Sequence, residues 1–481
     1  MMMLRRRFFL LIFLVWGPLG RAQQYVPVQE QVPGIPREFR AAWVAIVYNI
    51  DWPSKKGLGA ATQKGQAIRI LDRLRSLNMN AVILQVRPNA DAAYASRLEP
   101  SSHWLSGRMG RSPGYDPLAF WIKEAHARGI EVHAWFNPFR ALPNHKTPVS
   151  SNHVSRTKRN VIRRFRTSLW MDPSSSWTQK RALQVILDVV RRYDVDGVHL
   201  DDYFYPYPQV NKQGVALQKF PDGKSPAQRR AVVDRFVAQL YRSVKQQKPW
   251  VRVGISPFGI WRPGVPRGTT ARIDAYRHLS ADSRKWLAQG WVDYLSPQLY
   301  WRIRSEQSFS ALLSWWRGQG SRPVWPGIAV SRIDSKEDPG RPASEILNQA
   351  KLTRSIGRNY VGQLFWSMKA LQNNRGGISD LLRRSFYQEP ALVPPMPWIN
   401  KKRPAQVPAA VRPAPGGVVV QPARQSGGVR CAVQARYGNR WQFLGLAGYN
   451  GLKVNGQPEA VAVSAVTRDG MTSAPLVYRK K

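Results

Sequence analysis

Apolar and polar positions alternate along this chain on two scales. Short apolar runs bounded by turn residues recur at Phe39–Val47, Ala81–Val86, Glu131–Phe136, Gly197–Leu200, Val251–Ser256, Tyr294–Leu299, Val324–Val330 and Val361–Trp366. Such runs predict buried strands. Between and after them the apolar positions fall at helical spacing, at about 63–78, 116–129, 177–193, 226–247, 281–290, 306–318, 342–357 and 378–387. Asp116-Pro117 and Ser225-Pro226 each set a capping side chain before a proline suited to a first helical turn. Eight strands, each followed by a helix, predict a (β/α)8 TIM barrel over residues 23–388. An open doubly wound sheet shares the alternation, but its Gly-rich phosphate turn after the first strand is missing.

Beyond Tyr387 the pattern stops. Pro390, Pro394, Pro395, Pro397, Pro404, Pro408, Pro413 and Pro415 predict an extended linker over 389–427. Alternating runs at Arg430–Arg436 and Ala460–Val466 then predict a small β-rich segment of fibronectin-III-like type over 428–481. At the other end, Arg5-Arg6-Arg7, the apolar run Phe8–Val15 and Gly20-Arg21-Ala22 read as a cleavable export signal over 1–22. The expectation is an exported protein, periplasmic or at the cell wall, with no stable membrane span once the signal is removed. The lone cysteine, Cys431, excludes an intrachain disulfide and a lipoprotein anchor near the signal.

Composition adds two facts. The chain carries 19 Trp, more than core packing usually demands, and rings in a cleft are platforms for sugar faces. Its formal net charge of +44 favours anionic cell-wall or surface polymers. The densest basic run holds Arg156, Lys158, Arg159, Arg163, Arg164 and Arg166. An exported chain has little use for a specific nucleic-acid partner, and no nucleotide or other cofactor motif is visible.

The chemistry of a TIM barrel sits at the C-terminal ends of its strands. There the chain places Tyr48-Asn-Ile-Asp-Trp52, Gln85-Val-Arg-Pro-Asn-Ala-Asp91, Trp135-Phe-Asn-Pro-Phe-Arg140 and Asp201-Asp202-Tyr203. The remaining ends are Ser256-Pro-Phe-Gly-Ile-Trp261, Gln298-Leu-Tyr-Trp301, Ser331-Arg-Ile-Asp334 and Trp366-Ser-Met-Lys369. All eight are polar or aromatic, which implies a functional cleft. The most telling is Asp196-Gly-Val-His-Leu-Asp-Asp-Tyr-Phe-Tyr-Pro-Tyr207, an apolar strand running into two acids and a cluster of rings. Acids beside rings suit a glycosidic bond, since rings hold the pyranose while carboxyls act on its oxygen.

These motifs, in order on successive strands over about residues 37–388, resemble the glycosyl hydrolase-like 10 domain family of exported bacterial proteins. The resemblance implies a TIM barrel and glycan hydrolysis, with peptidoglycan strands as the substrate class. Gly197-Val-His-Leu-Asp201 is also similar to the fourth-strand pattern of alpha-amylase-like barrels, which implies Asp201 as nucleophile, with Asp202 as its rival. The acid those enzymes carry on strand five is absent from Val253-Gly-Ile-Ser-Pro-Phe258. The second carboxyl is therefore open among Asp91, Asp51, Glu99 and Asp334. Arg87 beside Asp91 would keep that acid ionised.

Asn89, Asn137, Arg140, Gln298 and Tyr300 read as hydroxyl and acetamido contacts, with Asp51 and His199 near them. Arg87 and Arg140 carry the fork that fits the lactyl carboxylate of muramic acid. Trp43, Trp135, Tyr203, Trp261, Trp301 and Trp366 are the candidate platforms. No His-x-His pair announces a metal, although His133, His199 and Asp201 lie on neighbouring strands. Two rivals to the hydrolase stand: a non-catalytic wall-binding barrel, and a metal-dependent esterase or deacetylase of wall sugars.

Overall fold

The computed structural model describes residues 25–357, 360–423, 429–448 and 451–481. The expected signal segment lies outside them. Eight parallel strands form one sheet: Phe39–Val44, Ala81–Arg87, Glu131–Phe136, Gly197–Leu200, Arg252–Ile255, Tyr294–Leu295, Gly327–Ile328 and Gly362–Phe365. Each pairs with the next in sequence from first to sixth, and the eighth lies between the first and the seventh. Parallel bridges Leu295↔Val324 and Gln298↔Gly327 join the sixth and seventh, so the sheet curls until its edges meet. These last two strands are shorter than the apolar runs suggested. Pro297, Pro323 and Pro326 remove ladder donors there, leaving isolated bridges in place of a continuous ladder.

The two-residue period of a strand sorts the side chains. Phe39, Ala41, Trp43, Ile83, Trp135, Tyr294, Trp325 and Leu364 fill the barrel interior. Their neighbours Ala42, Val44, Val82, Leu84, Val132 and Val198 pack outward against the helices. Two glycines make room inside. A Cβ on Gly254 would lie 2.0 Å from the Tyr294 ring, and one on Gly197 2.5 Å from His133 Nδ1. The helix caps behave as the sequence indicates: Asp116 accepts from Ala119 N, and Ser225 with Gln228 forms a full capping box on Pro226–Gln247.

The region after the barrel differs from the expectation. Residues 390–396 are not free linker: Leu392 bridges Arg37, while Leu392, Val393 and Met396 are buried beneath the barrel. Ala409–Ala414 and Gly417–Pro422 form a hairpin in a three-stranded sheet with Leu452–Asn455. Alternating small and branched residues let this stretch pair despite its prolines, which sit where no ladder donor is needed. A five-stranded antiparallel sheet joins Tyr25–Val28, Leu476–Lys480, Ala460–Val466, Arg430–Tyr437 and Arg440–Ala447 in that order. The first of these strands, placed by the sequence reading with the barrel, thus belongs to the C-terminal module. Among the described residues, no helix is long and apolar enough to cross a membrane.

Candidate active site at the C-terminal end of the barrel

Alternation on the third and fourth strands builds the centre. On the third, Trp135 points inward and Asn137 follows two residues later on the same side; on the fourth, His199 leads to Asp201. Asp201 Oδ2 accepts from Trp135 Nε1 at 3.2 Å and from Asn137 Nδ2 at 2.5 Å, and Oδ1 accepts from Tyr203 N at 3.3 Å. Asn137 is aimed in turn: its Oδ1 accepts from Gln85 Nε2 at 3.0 Å and from Arg140 Nη2 at 3.1 Å. Gln85 is fixed by the backbone N–H groups of Ile46 and Val47. Arg140 lies over the Tyr203 ring, 4.9 Å from its centroid, and its Nε donates to Pro88 O.

Asp202 accepts from the Tyr207 hydroxyl. Gln298 also donates toward Asp202 and toward Ser256 O at 3.0 Å. Around it runs a chain of edge-packed rings: Tyr203 on Tyr207 at 5.7 Å, Tyr207 on Phe258 at 6.3 Å, and Phe258 on Trp301 at 5.7 Å. The Tyr300 hydroxyl sits in the field of both acids. Trp366 lies edge-on to both Trp43 and Trp135, at 6.2 and 6.1 Å.

Both carboxyls are buried, and neither forms an ion pair among the described residues. Burial pushes Asp201 up to about 6, opposed by the Arg140 charge and by the donors just named. Burial and the neighbouring Asp201 charge push Asp202 up to about 7. Burial thus disfavours the charged form of both adjacent carboxyls, and the Asp201 charge adds to the effect on Asp202.

Beneath the acids a chain of hydrogen bonds descends the barrel axis, with Ser256 Oγ branching from it 3.0 Å from His199 Nε2. Indole nitrogen only donates, so His199 Nε2 accepts from Trp43 Nε1 at 3.2 Å. His199 Nδ1 then donates to the Tyr294 hydroxyl at 2.9 Å, which donates to His133 Nδ1 at 2.9 Å. His133 Nε2 in turn faces Glu131 at 3.4 Å. Burial holds His199 well below its ordinary value, so the imidazole is neutral. Both histidines are thereby committed to Tyr294. Among the described residues, no three His, Cys, Asp or Glu side chains gather as a metal set.

Several expected site residues stand elsewhere. Arg87 is fully buried, and its guanidinium is held by Glu99 at 2.7 and 2.5 Å and by the carbonyls of Asn137 and Pro138. It braces the third strand end and has no donor for a sugar, and Glu99 is its counter-charge. Asp51 is a clamp: it accepts from Ala45 N, Ser367 Oγ and Lys369 N, tying the first strand end to the eighth. Asp91 is buried and accepts from Asn89 N, with Oδ2 3.8 Å from His103 Nδ1. The Asn89 amide is also buried, without a hydrogen-bond partner among the described residues. Asp334 is exposed on the rim and accepts from Gly340 N, while Arg332 donates to Tyr300 O. Trp261 stacks on Trp315 and donates to Asp282, outside the ring chain around Asp202.

Sequence reasoning passed over Tyr207, Gln85, Ser256 and Tyr48. Tyr207 was legible as the last ring of the Tyr203–Tyr207 cluster. Gln85 was legible as an amide at an inward position of a buried strand, which requires partners.

Comparison with known proteins places the chain in a family. A family model described as Glycosyl hydrolase-like 10 matches residues 38–336. Glycosyl hydrolase YngK of Bacillus subtilis (strain 168) is 40% identical over 391 residues, covering 76% of this chain and 75% of that protein. Glycosyl hydrolase DigH of Escherichia coli (strain K12) is 35% identical over 334 residues, covering 63% and 74%. Among solved structures, the PgaB (BpsB) glycoside hydrolase domain from Bordetella bronchiseptica aligns at 14% identity and a TM-score of 0.46, over 73% of this chain and 98% of that one. That likeness is too loose to carry a functional argument. The resemblance read from the strand-end motifs holds: this chain belongs to the glycosyl hydrolase-like 10 family.

Proposed function

We propose that this protein is an exported glycoside hydrolase acting on peptidoglycan glycan strands, or a related acetamido-sugar polymer, by carboxylate acid/base catalysis. The observation that carries the reading is the Asp201–Asp202 pair, buried among aromatic rings with no ion pair to either carboxyl among the described residues. Asp202 protonates the glycosidic oxygen. Asp201, held ionised by Trp135, Asn137 and Arg140, serves the anomeric carbon as nucleophile or base. The strand-five acid of amylase-like barrels is thus replaced by the second aspartate of the fourth strand. Trp366 and Trp301 supply ring faces, and the remaining Arg140 donors suit an acidic sugar substituent.

The test is product release from purified sacculi and from peptide-free glycan strands, with wild type beside Asp201→Asn and Asp202→Asn. Soluble products from wild type that vanish in both variants support the hydrolase. Tight binding with no release, equal in all three proteins, moves the reading to a wall-binding barrel.

A further inference from the structure

A second cleft opens on the same face of the barrel, walled by the connections after the first three strands. Four cations line it: Lys56 from the first connection, Arg108 and Arg111 from the second, and Arg156 from the third. None of the four has an acidic partner among the described residues. The one carboxylate in the lining, Glu99, is already spent on Arg87. His103 also lines the cleft, and its buried Nδ1 has no hydrogen-bond partner among the described residues.

The walls are tied together. Gly57 N donates to Leu105 O at 2.9 Å, joining the first connection to the second. His153 Nε2 lies 3.2 Å from Asn89 O, joining the third connection to the second strand end.

Tyr48 lies beside this cleft, through Trp104. It is 60% exposed, the backbone has φ of 56°, and the ring packs edge-on to Trp104 at 5.1 Å. Lys56, one of the cleft cations, covers the Trp104 ring at 4.3 Å. A left-handed backbone costs a tyrosine free energy, and here it serves to hold an aromatic face out in solvent, the arrangement expected of a ligand platform. Asn49, also left-handed, pins the turn by donating to Pro53 O and Trp104 O.

We propose that Tyr48 and the cleft of Lys56, Arg108, Arg111 and Arg156 form a subsite for a carboxylate-bearing sugar whose neighbour in the chain lies over Asp201 and Asp202. The inference rests on the glycoside hydrolase reading for the direction of the chain. Tyr48 stacks on a sugar face, and the cations take the anionic substituent beyond it.

The test is binding by the full chain carrying Asp202→Asn, so that turnover does not intervene. The probes are peptide-free glycan strands with free lactyl carboxylates, the same strands with those carboxylates amidated, and poly(glycerol phosphate). Replacing the four cations by Ala is expected to weaken binding of the carboxylate strands about tenfold at low salt, with about twofold or less change for amidated strands. A control lacking four other exposed cations, Lys180, Arg191, Arg235 and Arg242, is expected to keep binding within about twofold. Tyr48→Ala is expected to weaken carboxylate and amidated strands alike, by about threefold to tenfold.

Equal losses in the control, or a loss confined to poly(glycerol phosphate), overturn the subsite. So does unchanged binding in a four-cation variant that melts like its parent. Failure of wild type to release products, with the binding pattern intact, removes the hydrolase reading and leaves the subsite standing.

Discussion

Two sets of buried carboxylates, one beneath the barrel and one at its open end, are treated in opposite ways. Beneath the barrel four such acids are matched by cations. Glu38 meets Arg40 and Arg354, Glu131 meets Arg252 and Arg430, Asp293 meets Lys245, and Asp196 meets His126 and Arg468. Arg430 and Arg468 come from the C-terminal module, so these pairs fasten that module to the barrel. The His126 charge, with those of Arg430 and Arg468, holds Asp196 well below the usual carboxylate range against the opposing effect of burial. At the open end Asp201 and Asp202 are as deeply buried, yet they have only neutral donors, the more distant Arg140 charge and each other. Asp196 is thus held as an anion below, while the values of Asp201 and Asp202 are raised above. The nearby cations mark the difference, and it separates fastening from chemistry.

The largest test of that contrast is catalytic. Asp201→Asn and Asp202→Asn should each lower glycan cleavage by about 10³-fold or more while leaving the fold intact, read as kcat on peptide-free strands beside far-UV circular dichroism. Next comes Asp196→Asn. It removes the nearer acid from His126 and one of the two acids on Arg468, both of which keep Asp194, and should cost about 2 kcal/mol in urea unfolding, with cleavage by the folded fraction unchanged. An Asp196→Asn protein as stable as wild type breaks the contrast from below.

The third test reverses the sign. Asp202 has its folded value raised, so between the unfolded value and about 7 the native state binds more protons than the unfolded chain, and stability falls as pH rises through that window. Removing the charge with Asp202→Asn should therefore stabilise the protein by about 1–2 kcal/mol above neutrality, and less in acid. Asp196, whose folded value is lowered, behaves oppositely: its contribution is present above the unfolded value and is lost only as the solution becomes strongly acidic. The smallest effect concerns positioning. Gln85→Leu leaves Asn137 without its amide partner and should lower kcat about tenfold with little change in KM.

Much of this was written in the chain. The eight apolar runs gave the barrel because parallel strands buried on both faces need continuous apolar stretches. The fourth strand announced the acids because its apolar run leads into two adjacent carboxyls and then a cluster of rings. The two-residue period also placed Trp135, Asn137, His199 and Asp201 on one side. What could not be read was which groups had already spent their donors. Arg87, Asp51 and Asp91 occupy the right strand ends, but Glu99, Ser367 and His103, distant in sequence or on a neighbouring connection, decide what they face. The C-terminal boundary was hidden for a similar reason. Prolines announce the absence of a donor, and an edge strand such as Ala409–Ala414 tolerates that absence. Tyr25–Val28 found its partner in Leu476–Lys480, at the far end of the chain.

The protonation of Asp201 and Asp202 is the point on which the contrast turns, and the pH dependence of glycan cleavage reads it directly. Wild type should show a bell for kcat/KM on peptide-free strands, with limbs at about 6 and about 7, set by the pair as a unit. Asp202→Asn should abolish the alkaline limb together with most of the rate. A wild-type profile flat through neutrality, or an Asp202→Asn enzyme with the wild-type bell, would show that the proton at the top of the barrel has no part in the chemistry.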